Sequence, residues 1–172
     1  MKNFRKTCLR IDLDAIVQNY HTLKRKVGDE VRMAPVLKAD AYGLGIKKIV
    51  KVLPGLQTVC VATVEEGVAL RRLNSELEII LLSGLSHEAL QVIEEHRLTP
   101  VVFEPTIIPH LLQWKGKLNI YLKIDTGMNR LGINRRRKKI VRQLREAKNI
   151  RLKGIFSHFS SANDEDEQEM ER

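Results

Sequence analysis

The feature that most constrains the fold is a regular alternation of short apolar runs with helix-like segments. Six apolar runs end near Lys38, Val64, Ser83, Phe103, Asp125 and His158. Most of these ends lie about 20 to 25 residues apart, which is the spacing of βα units. Such units form either a closed barrel or an open doubly wound sheet. Because no G-x-G-x-x-G motif follows the first run, the dinucleotide-binding sheet is disfavoured. We therefore expect an α/β fold of the (β/α)8 TIM-barrel type.

Apolar periodicity and turn residues predict where the individual elements lie. The segment 9–13 alternates like a short strand, and Asp12 or Asp14 could cap the helix predicted over 15–27. The next predicted strand, 31–38, ends at Lys38. Further strands are predicted over 58–64, 78–83, 99–103, 118–125 and 152–159. Further helices are predicted over 46–53, 65–74, 86–96, the segment after Pro105, and 135–147.

The predicted units are too few to close a barrel. Eight units normally take about 250 residues. This chain has 172 residues and about six units, and it ends in a charged run over 163–172. An incomplete barrel would leave two sheet edges and part of its core exposed. We therefore expect an incomplete barrel from a truncated chain, with a partner chain that closes the sheet as the alternative.

The net charge of +9 raises the question of nucleic-acid binding. The most basic cluster, 135–139, lies where a helix is predicted to begin. Aromatic residues make up only 5% of the chain, and no recognisable nucleic-acid motif accompanies the charge. The cluster is therefore interpreted as a solvated helix face, and nucleic acid is not an expected partner.

Cysteine content and hydropathy indicate the setting of the chain. Cys8 and Cys60 do not make a disulfide framework, and the sequence has neither an apolar signal core nor an apolar run of membrane length. These features predict a cytoplasmic protein without a membrane partner. No metal site is predicted, because no metal-ligand spacing connects His21, His87, His96 and His110.

The decapeptide VLKADAYGLG, residues 36–45, contains the first candidate catalytic residue. Lys38 is predicted to end a buried strand, where a low dielectric disfavours the ammonium form and makes the neutral amine accessible. The neutral amine is the form that reacts with a carbonyl cofactor or substrate to give a Schiff base. The alternative is a lysine that extends from the strand end into water.

Three blocks of the sequence resemble the bacterial alanine racemases, which depend on pyridoxal 5′-phosphate (PLP). They are the decapeptide 36–45, the segment LKIDTGMNRLGI over 122–133 and the segment GIFSHF over 154–159. The blocks follow the family's order, and the resemblance extends over nearly the whole chain, which corresponds to about the first half of a racemase. It implies interconversion of L- and D-alanine, with PLP as cofactor, alanine as the small-molecule substrate and a homodimer as the full-length form.

The same resemblance implies a division of the chain and a role for four residues. Residues 1–14 would be a strand region that joins a C-terminal β-domain, and 15–172 would be a partial PLP-binding barrel. Lys38 would be the catalytic residue, which forms a Schiff base with PLP and then acts as a base at the substrate Cα. Tyr42 would bind the cofactor phosphate, Arg130 would contact both cofactor and substrate, and His158 would contact the cofactor. The alternatives are a packing tyrosine, a surface arginine and a core histidine.

Lys123 is predicted to share a strand face with Asp125, two residues later. The resemblance implies that Lys123 can be carbamylated and can then orient Arg130. A plain contact of Lys123 with Asp125 or with a glutamate is an equally good interpretation. Some residues depart from the family pattern, since Asn129 stands where glycine is common, and Ser157 with Ser160 and Ser161 replaces the threonine and alanine of that strand.

The resemblance also implies that the base on the opposite face of the substrate belongs to a C-terminal domain. We therefore expect little or no racemase activity from this chain alone. Two enzymatic alternatives are a broad-specificity amino-acid racemase and a single-domain PLP-binding barrel protein. The non-enzymatic alternatives are a basic binding module that uses 135–139 and a non-functional remnant.

Overall fold

A computed structural model describes residues 7–134 and 137–160 of the chain. Five parallel strands form one sheet in sequential order. They are β1 Thr58–Val61, β2 Glu78–Leu81, β3 Leu98–Val102, β4 Leu118–Lys123 and β5 Ile150–Phe156. A doubly wound sheet reverses its strand order at a switch point, whereas a barrel does not. The unreversed order therefore confirms the barrel-type prediction, and the sheet is an incomplete barrel.

The chain before Lys38 extends the sheet beyond β1 without forming a full strand. A parallel bridge joins Val36 to Cys60. The Leu37 N–H donates to the Cys60 carbonyl at 2.7 Å, and the Cys60 N–H donates to the Pro35 carbonyl at 2.9 Å. The predicted strand 31–38 is thus reduced to a short bridged segment, but it occupies the expected place next to β1.

The described residues form seven helical segments, of which three precede β1 and four lie between strands. They are α1 Leu13–Val27, α2 Lys38–Tyr42, α3 Ile46–Val52, α4 Val64–Leu73, α5 Leu90–Glu95, α6 Ile108–Gln113 and α7 Arg137–Glu146, with short 3₁₀ turns at His87–Ala89 and Pro105–Ile107. Apart from α2, these segments match the predicted helices to within a few residues. The Asp12 carboxylate accepts the Ala15 N–H at 3.0 Å, so the predicted cap of the first helix is confirmed. No described helix is long and apolar enough to cross a membrane.

The strand predicted over 9–13 is wrong. Residues 9–12 have no regular structure, and Leu13 already belongs to α1. Leu9 is 78% exposed. An alternating segment becomes a strand only where a neighbouring strand accepts its backbone hydrogen bonds, and the described part of the chain offers this segment none. Residues 1–6 and 161–172, including the charged run 163–172, lie outside the described residues, as do Arg135 and Arg136 of the basic cluster. The other members of that cluster, Arg137 to Lys139, are exposed at the start of α7.

Strands β1 to β3 are buried on both faces, as strands of parallel sheets usually are, whereas the edge strand β5 leaves Ile155 64% exposed. On the outer face, strand residues such as Ile79 and Ile120 pack against helix residues such as Leu70 and Leu144 in the main apolar core. On the inner face, Cys60, Ile80 and Val101 form a second, smaller apolar cluster. The helices therefore cover the outside of the sheet, and the smaller cluster fills the concave side.

Glu78 shows how strongly the sheet curves. Its carboxylate lies 2.9 Å from the Lys153 ammonium and 3.2 Å from the Arg32 guanidinium. In a flat sheet β2 and β5 would lie about 14 Å apart, three strand spacings of about 4.8 Å each. A direct ion pair across that distance requires the inner face to be concave. We call Glu78, Arg32, Lys153 and Tyr121 the floor cluster, because Glu78 begins β2 at the amino edge of the sheet.

Candidate active site

Lys38 lies at the carboxyl edge of the sheet, immediately after Leu37 has paired with β1. The next four residues, Ala39 to Tyr42, have φ values between 52° and 57°, so α2 is a single turn of left-handed helix. We call Lys38–Tyr42 the lysine turn. Each residue with a side chain costs about 1–2 kcal/mol in this conformation. Such a turn persists only where the surrounding structure holds it.

Hydrogen bonds within the lysine turn supply part of the stabilisation that its left-handed backbone requires. The Ala41 N–H donates to the Leu37 carbonyl and the Gly43 N–H donates to the Ala39 carbonyl, both at 2.9 Å. Gly43 then continues the left-handed path at φ 83°, a conformation that glycine adopts without strain. These bonds close the turn on itself and leave the Lys38 side chain at its start.

Two carboxylates connect the turn to its surroundings, one from a residue outside the turn and one from a residue within it. The Glu66 Oε1 atom accepts the Ala39 N–H at 2.6 Å, and the Asp40 Oδ1 atom accepts the Ile46 N–H at 2.8 Å. Glu66 belongs to α4, and Ile46 is the first residue of α3. The lysine turn is therefore tied to both neighbouring helices through backbone N–H groups.

The structure brings Lys38 and Tyr42 together. The Lys38 Nζ atom lies 5.8 Å from the centroid of the Tyr42 ring. Tyr42 is 64% exposed, so its ring is not packed in the core of the described residues. Lys38 itself is half-buried. Its place directly after Leu37, the last residue that pairs with β1, leaves its side chain partly in contact with solvent.

Lys123 is the buried amine of the site. It ends β4, is 8% exposed, and its Nζ atom lies 5.8 Å from the centroid of the Phe156 ring. Burial lowers the pKa of Lys123 first, the positive charge of Arg130 lowers it further, and Asp125 acts in the opposite direction. The ammonium form is thus disfavoured at a position where, among the described residues, Lys123 forms no ion pair.

Asp125 does not serve as the ion-pair partner of Lys123. Its Oδ1 atom accepts the N–H groups of Asn129 at 3.0 Å and Gly127 at 3.1 Å, and these two bonds are the main cause that lowers the pKa of Asp125. The carboxylate therefore organises the loop 125–130. Of the two interpretations of Lys123, the direct contact with Asp125 is not supported.

Backbone geometry turns this loop back onto β4. Asn129 has φ 56°, a left-handed conformation that asparagine tolerates better than most residues, which explains how it replaces a glycine. A Cβ atom on Gly132 would lie 2.4 Å from the Asp125 nitrogen, so only glycine fits there. Beyond it, Ile133 forms a parallel bridge with Ile124. The loop leaves Arg130 exposed, within electrostatic range of Lys123.

His158 lies two residues beyond the end of β5 and is exposed among the described residues. The hydroxyl oxygens of Ser157 and Thr126 lie 2.7 Å apart, and the Ser157 hydroxyl donates to the Ile124 carbonyl at 3.3 Å. These bonds join the loop after β4 to the segment after β5. His158 directly follows Ser157 in the sequence and therefore lies next to this junction.

The candidate residues therefore form two groups at the carboxyl edge. One contains Lys38 and Tyr42, and the other contains Lys123 and Arg130 with His158 beside them. Four strand spacings separate the groups, about 19 Å along the curved edge. Within the described part of the chain, no group of three or more His, Cys, Asp or Glu side chains could hold a metal ion.

Sequence reasoning missed the part that Glu66 plays. The pattern Thr63-x-x-Glu66 is a capping box, and the structure contains both of its hydrogen bonds. That pattern indicates where α4 begins. It carries no sign that the second carboxylate oxygen reaches Ala39, which is 27 residues away in the sequence.

Comparison with known proteins relates this chain to alanine racemases. A family model described as "Alanine racemase, N-terminal domain" matches residues 11–172. An alanine racemase from Aquifex pyrophilus is 35% identical over 164 residues, which cover 93% of this chain and 44% of the relative. The crystal structure of alanine racemase from E. faecalis superposes with a TM-score of 0.86 at 28% identity and covers 94% of this chain and 46% of that one. For the biosynthetic alanine racemase from Pseudomonas aeruginosa the TM-score is 0.83 at 29% identity, with the same coverage of 94% and 46%. The chain thus spans less than half the length of these relatives.

Proposed function

The chain belongs to the alanine racemase family through the N-terminal domain, and on that premise we propose that it carries the PLP-binding side of a racemase active site. The observation that carries the proposal is the lysine turn, which presents Lys38 at the carboxyl edge of a barrel-type sheet, beside the exposed ring of Tyr42. Strained backbone is concentrated at functional sites, and the carboxyl edge is where such barrels hold their active sites.

The donor set at this edge fits PLP. The cofactor presents an aldehyde, a phosphate and a phenolic oxygen. Lys38 offers a primary amine for the aldehyde, and Tyr42 offers a hydroxyl for the phosphate. His158 and Arg130 offer further donors to the cofactor, and all three of Tyr42, His158 and Arg130 are exposed at the edge rather than packed in the core. These are the residue types that such a ligand requires.

PLP, when bound, supplies an electron sink that makes the Cα proton of an amino acid removable. Lys38 would hold the cofactor through Nζ, and this amine, once freed by the amino group of the substrate, would take or return the proton at Cα. Arg130 presents a planar fork of fixed charge, which suits the carboxylate of the amino acid as well as the phenolic oxygen. Both roles require the side chains to stand free of other strong partners. Neither Lys38 nor Arg130 forms an ion pair with another described residue.

Lys123 is proposed as a site of carbamylation. The ammonium first loses one proton, and the neutral amine then adds CO₂ and loses a second proton, so that a cation becomes an anion. Burial and Arg130 lower the pKa of Lys123, which favours the neutral amine. The resulting anion would lie next to the guanidinium of Arg130 and would orient it.

For the whole protein we propose interconversion of L-alanine and D-alanine in the cytoplasm by a homodimer. The support is the match of this chain to alanine racemases, of which it spans less than half the length. Comparing the turnover of alanine, serine and lysine by a full-length protein that contains this chain would separate an alanine racemase from a broad-specificity enzyme.

The test of the PLP site uses the chain itself. PLP is added to the purified chain, the adduct is reduced with borohydride, and the labelled lysines are identified by peptide mass mapping. Lys47 and Lys48, which are exposed on the adjacent helix α3, serve as internal controls. Selective labelling of Lys38 is expected. Equal labelling of Lys38 and the two control lysines would contradict the proposal.

A further inference from the structure

We propose that Glu66 is the positioning residue of Lys38: its carboxylate clamps the lysine turn to the start of α4 and so directs the cofactor aldehyde to this lysine. The proposal rests on the proposed function for its cofactor. The clamp itself is a property of the chain and can be tested without PLP.

The clamp consists of three hydrogen bonds made by one carboxylate. Oε1 of Glu66 accepts the Ala39 N–H at 2.6 Å, and Oε2 accepts the N–H groups of Ala62 at 2.7 Å and Thr63 at 3.3 Å. Ala39 directly follows Lys38, whereas Ala62 directly follows β1. One side chain therefore fixes the first left-handed residue relative to the end of the neighbouring strand.

Among the described residues, Glu66 is the acceptor of the Ala39 N–H, and no backbone carbonyl accepts it. Leu37, the residue at which the turn starts, has no side-chain capping bond, so the first N–H groups of the turn depend on acceptors from elsewhere. Within the described residues Glu66 forms no ion pair that would compete for its oxygens. Bonds from N–H groups to an ionised carboxylate are about twice as strong as neutral ones, which suits a turn whose backbone is unfavourable by itself.

The simpler role for Glu66 is to cap α4. Capping requires only the bond from the Thr63 N–H to Oε2 and the reciprocal bond from the Glu66 N–H to the Thr63 hydroxyl at 3.3 Å. The bond from Ala39 to Oε1 contributes nothing to the cap. The two roles can therefore be separated by variants that damage the cap and the clamp individually.

Three variants make this separation. Glu66→Gln keeps the size of the side chain, but its single oxygen cannot accept N–H groups on both sides, so one half of the clamp is lost. Thr63→Ala removes the hydroxyl from the capping box and leaves the Ala39 bond in place. Glu65→Gln removes the same charge from the same turn of α4, at an exposed residue that forms no hydrogen bond with the described residues of the lysine turn.

The first measurement is hydrogen–deuterium exchange of the backbone amides over 38–45 in the chain without PLP. In Glu66→Gln we expect these amides to exchange about tenfold faster or more, which corresponds to loss of one hydrogen bond to a charged group. Thr63→Ala and Glu65→Gln should leave this segment unchanged. Equal exchange in all variants would overturn the proposal. Loss of the whole fold in Glu66→Gln would overturn it as well, because Glu66 would then support global stability rather than the turn.

The second measurement is the ratio of PLP labelling at Lys38 to labelling at Lys47 and Lys48. This ratio should fall by about tenfold in Glu66→Gln and stay constant in Glu65→Gln. Adding Ala39→Gly to Glu66→Gln should restore part of the ratio, because glycine adopts the left-handed conformation without an external clamp. An unchanged ratio in Glu66→Gln would refute the clamp while leaving the PLP site intact. Absence of selective labelling in the unaltered chain would instead refute the proposed function, and the exchange data would still decide whether the clamp exists.

Discussion

The two edges of this incomplete barrel differ in how their charged side chains are paired. We call the amino edge, which carries the floor cluster, the floor, and the carboxyl edge, which carries the candidate site, the mouth. At the floor, Glu78 lies within 3.2 Å of Arg32 and within 2.9 Å of Lys153, so the chain satisfies its own charges. At the mouth, Lys38 and Lys123 form no ion pair with another described residue. The backbone follows the same division, since five of the six described non-glycine residues with positive φ lie at the mouth. Strained backbone and unpaired amines at the mouth are features of a ligand site. The paired charges at the floor stabilise the curvature of the sheet.

The largest change in stability is expected from removing the carboxylate of the floor cluster. Glu78→Ala would leave the cations of Arg32 and Lys153 on the concave face without their partner. We expect a loss of about 2–4 kcal/mol in the free energy of unfolding, below the full cost of a completely buried pair because the cluster is partly exposed. Urea denaturation measures this loss. The mouth variant Arg130→Gln is the control, and its stability should stay within about 0.5 kcal/mol of the unaltered chain. Equal losses of unfolding free energy in both variants would contradict the proposed difference between floor and mouth.

The pH dependence of stability offers a second test, through Cys60 on the inner face. Burial, followed by the negative charge of Glu78, raises the pKa of the Cys60 thiol from 9.0 to about 11. Between these two values the unfolded chain releases the thiol proton and the folded chain retains it, so stability falls as the pH rises. We expect this group to remove about 1–3 kcal/mol between pH 9 and pH 11. Denaturation of Cys60→Ala across the same pH range should lack this component, and an identical alkaline slope in both proteins would contradict the assignment.

The buried amine of Lys123 should change the pH dependence of stability by a smaller amount and in the opposite direction. Its pKa is lowered in the folded chain, chiefly by burial, so the folded state binds a proton less readily than the unfolded state. The ammonium form therefore costs stability at neutral pH, and this cost disappears as the pH rises towards 10.5, the ordinary lysine value. Lys123→Met should raise the free energy of unfolding at pH 7 by about 1 kcal/mol, with a smaller gain at pH 10. A variant that is less stable than the unaltered chain at pH 7 would show that an unsuspected partner satisfies this amine.

The smallest effect concerns the strain of the lysine turn. Ala39 is left-handed, so Ala39→Gly should raise the stability by about 0.5–1 kcal/mol despite the greater freedom of glycine in the unfolded chain. Ala69 lies within the right-handed helix α4, and Ala69→Gly is the matched control. This second change should lower the stability by about 1 kcal/mol. Thermal melts of the two variants that shift in the same direction would mean that the turn is not strained.

Local pattern was sufficient to predict most of the elements. The helix over 13–27 follows from its apolar spacing and from Asp12, and the strands β1 to β5 follow from apolar runs between turn residues. These features depend on residues that are neighbours in the sequence. The segment 9–13 shows the limit of the same reasoning, because its alternation is typical of a strand and yet no described strand pairs with it.

The sequence by itself determined the βα rhythm, the place of Lys38 at a strand end and the family to which its motifs point. Only the tertiary structure decided that the strands follow one another without reversal and that Glu78 joins the two ends of the sheet. It also decided that the turn after Lys38 is left-handed and bound to Glu66. The physical reason is that the residues Ala39 to Tyr42 have no intrinsic preference for a left-handed turn. The carboxylate that accepts the Ala39 N–H comes from a different βα unit, and no local pattern contains that contact.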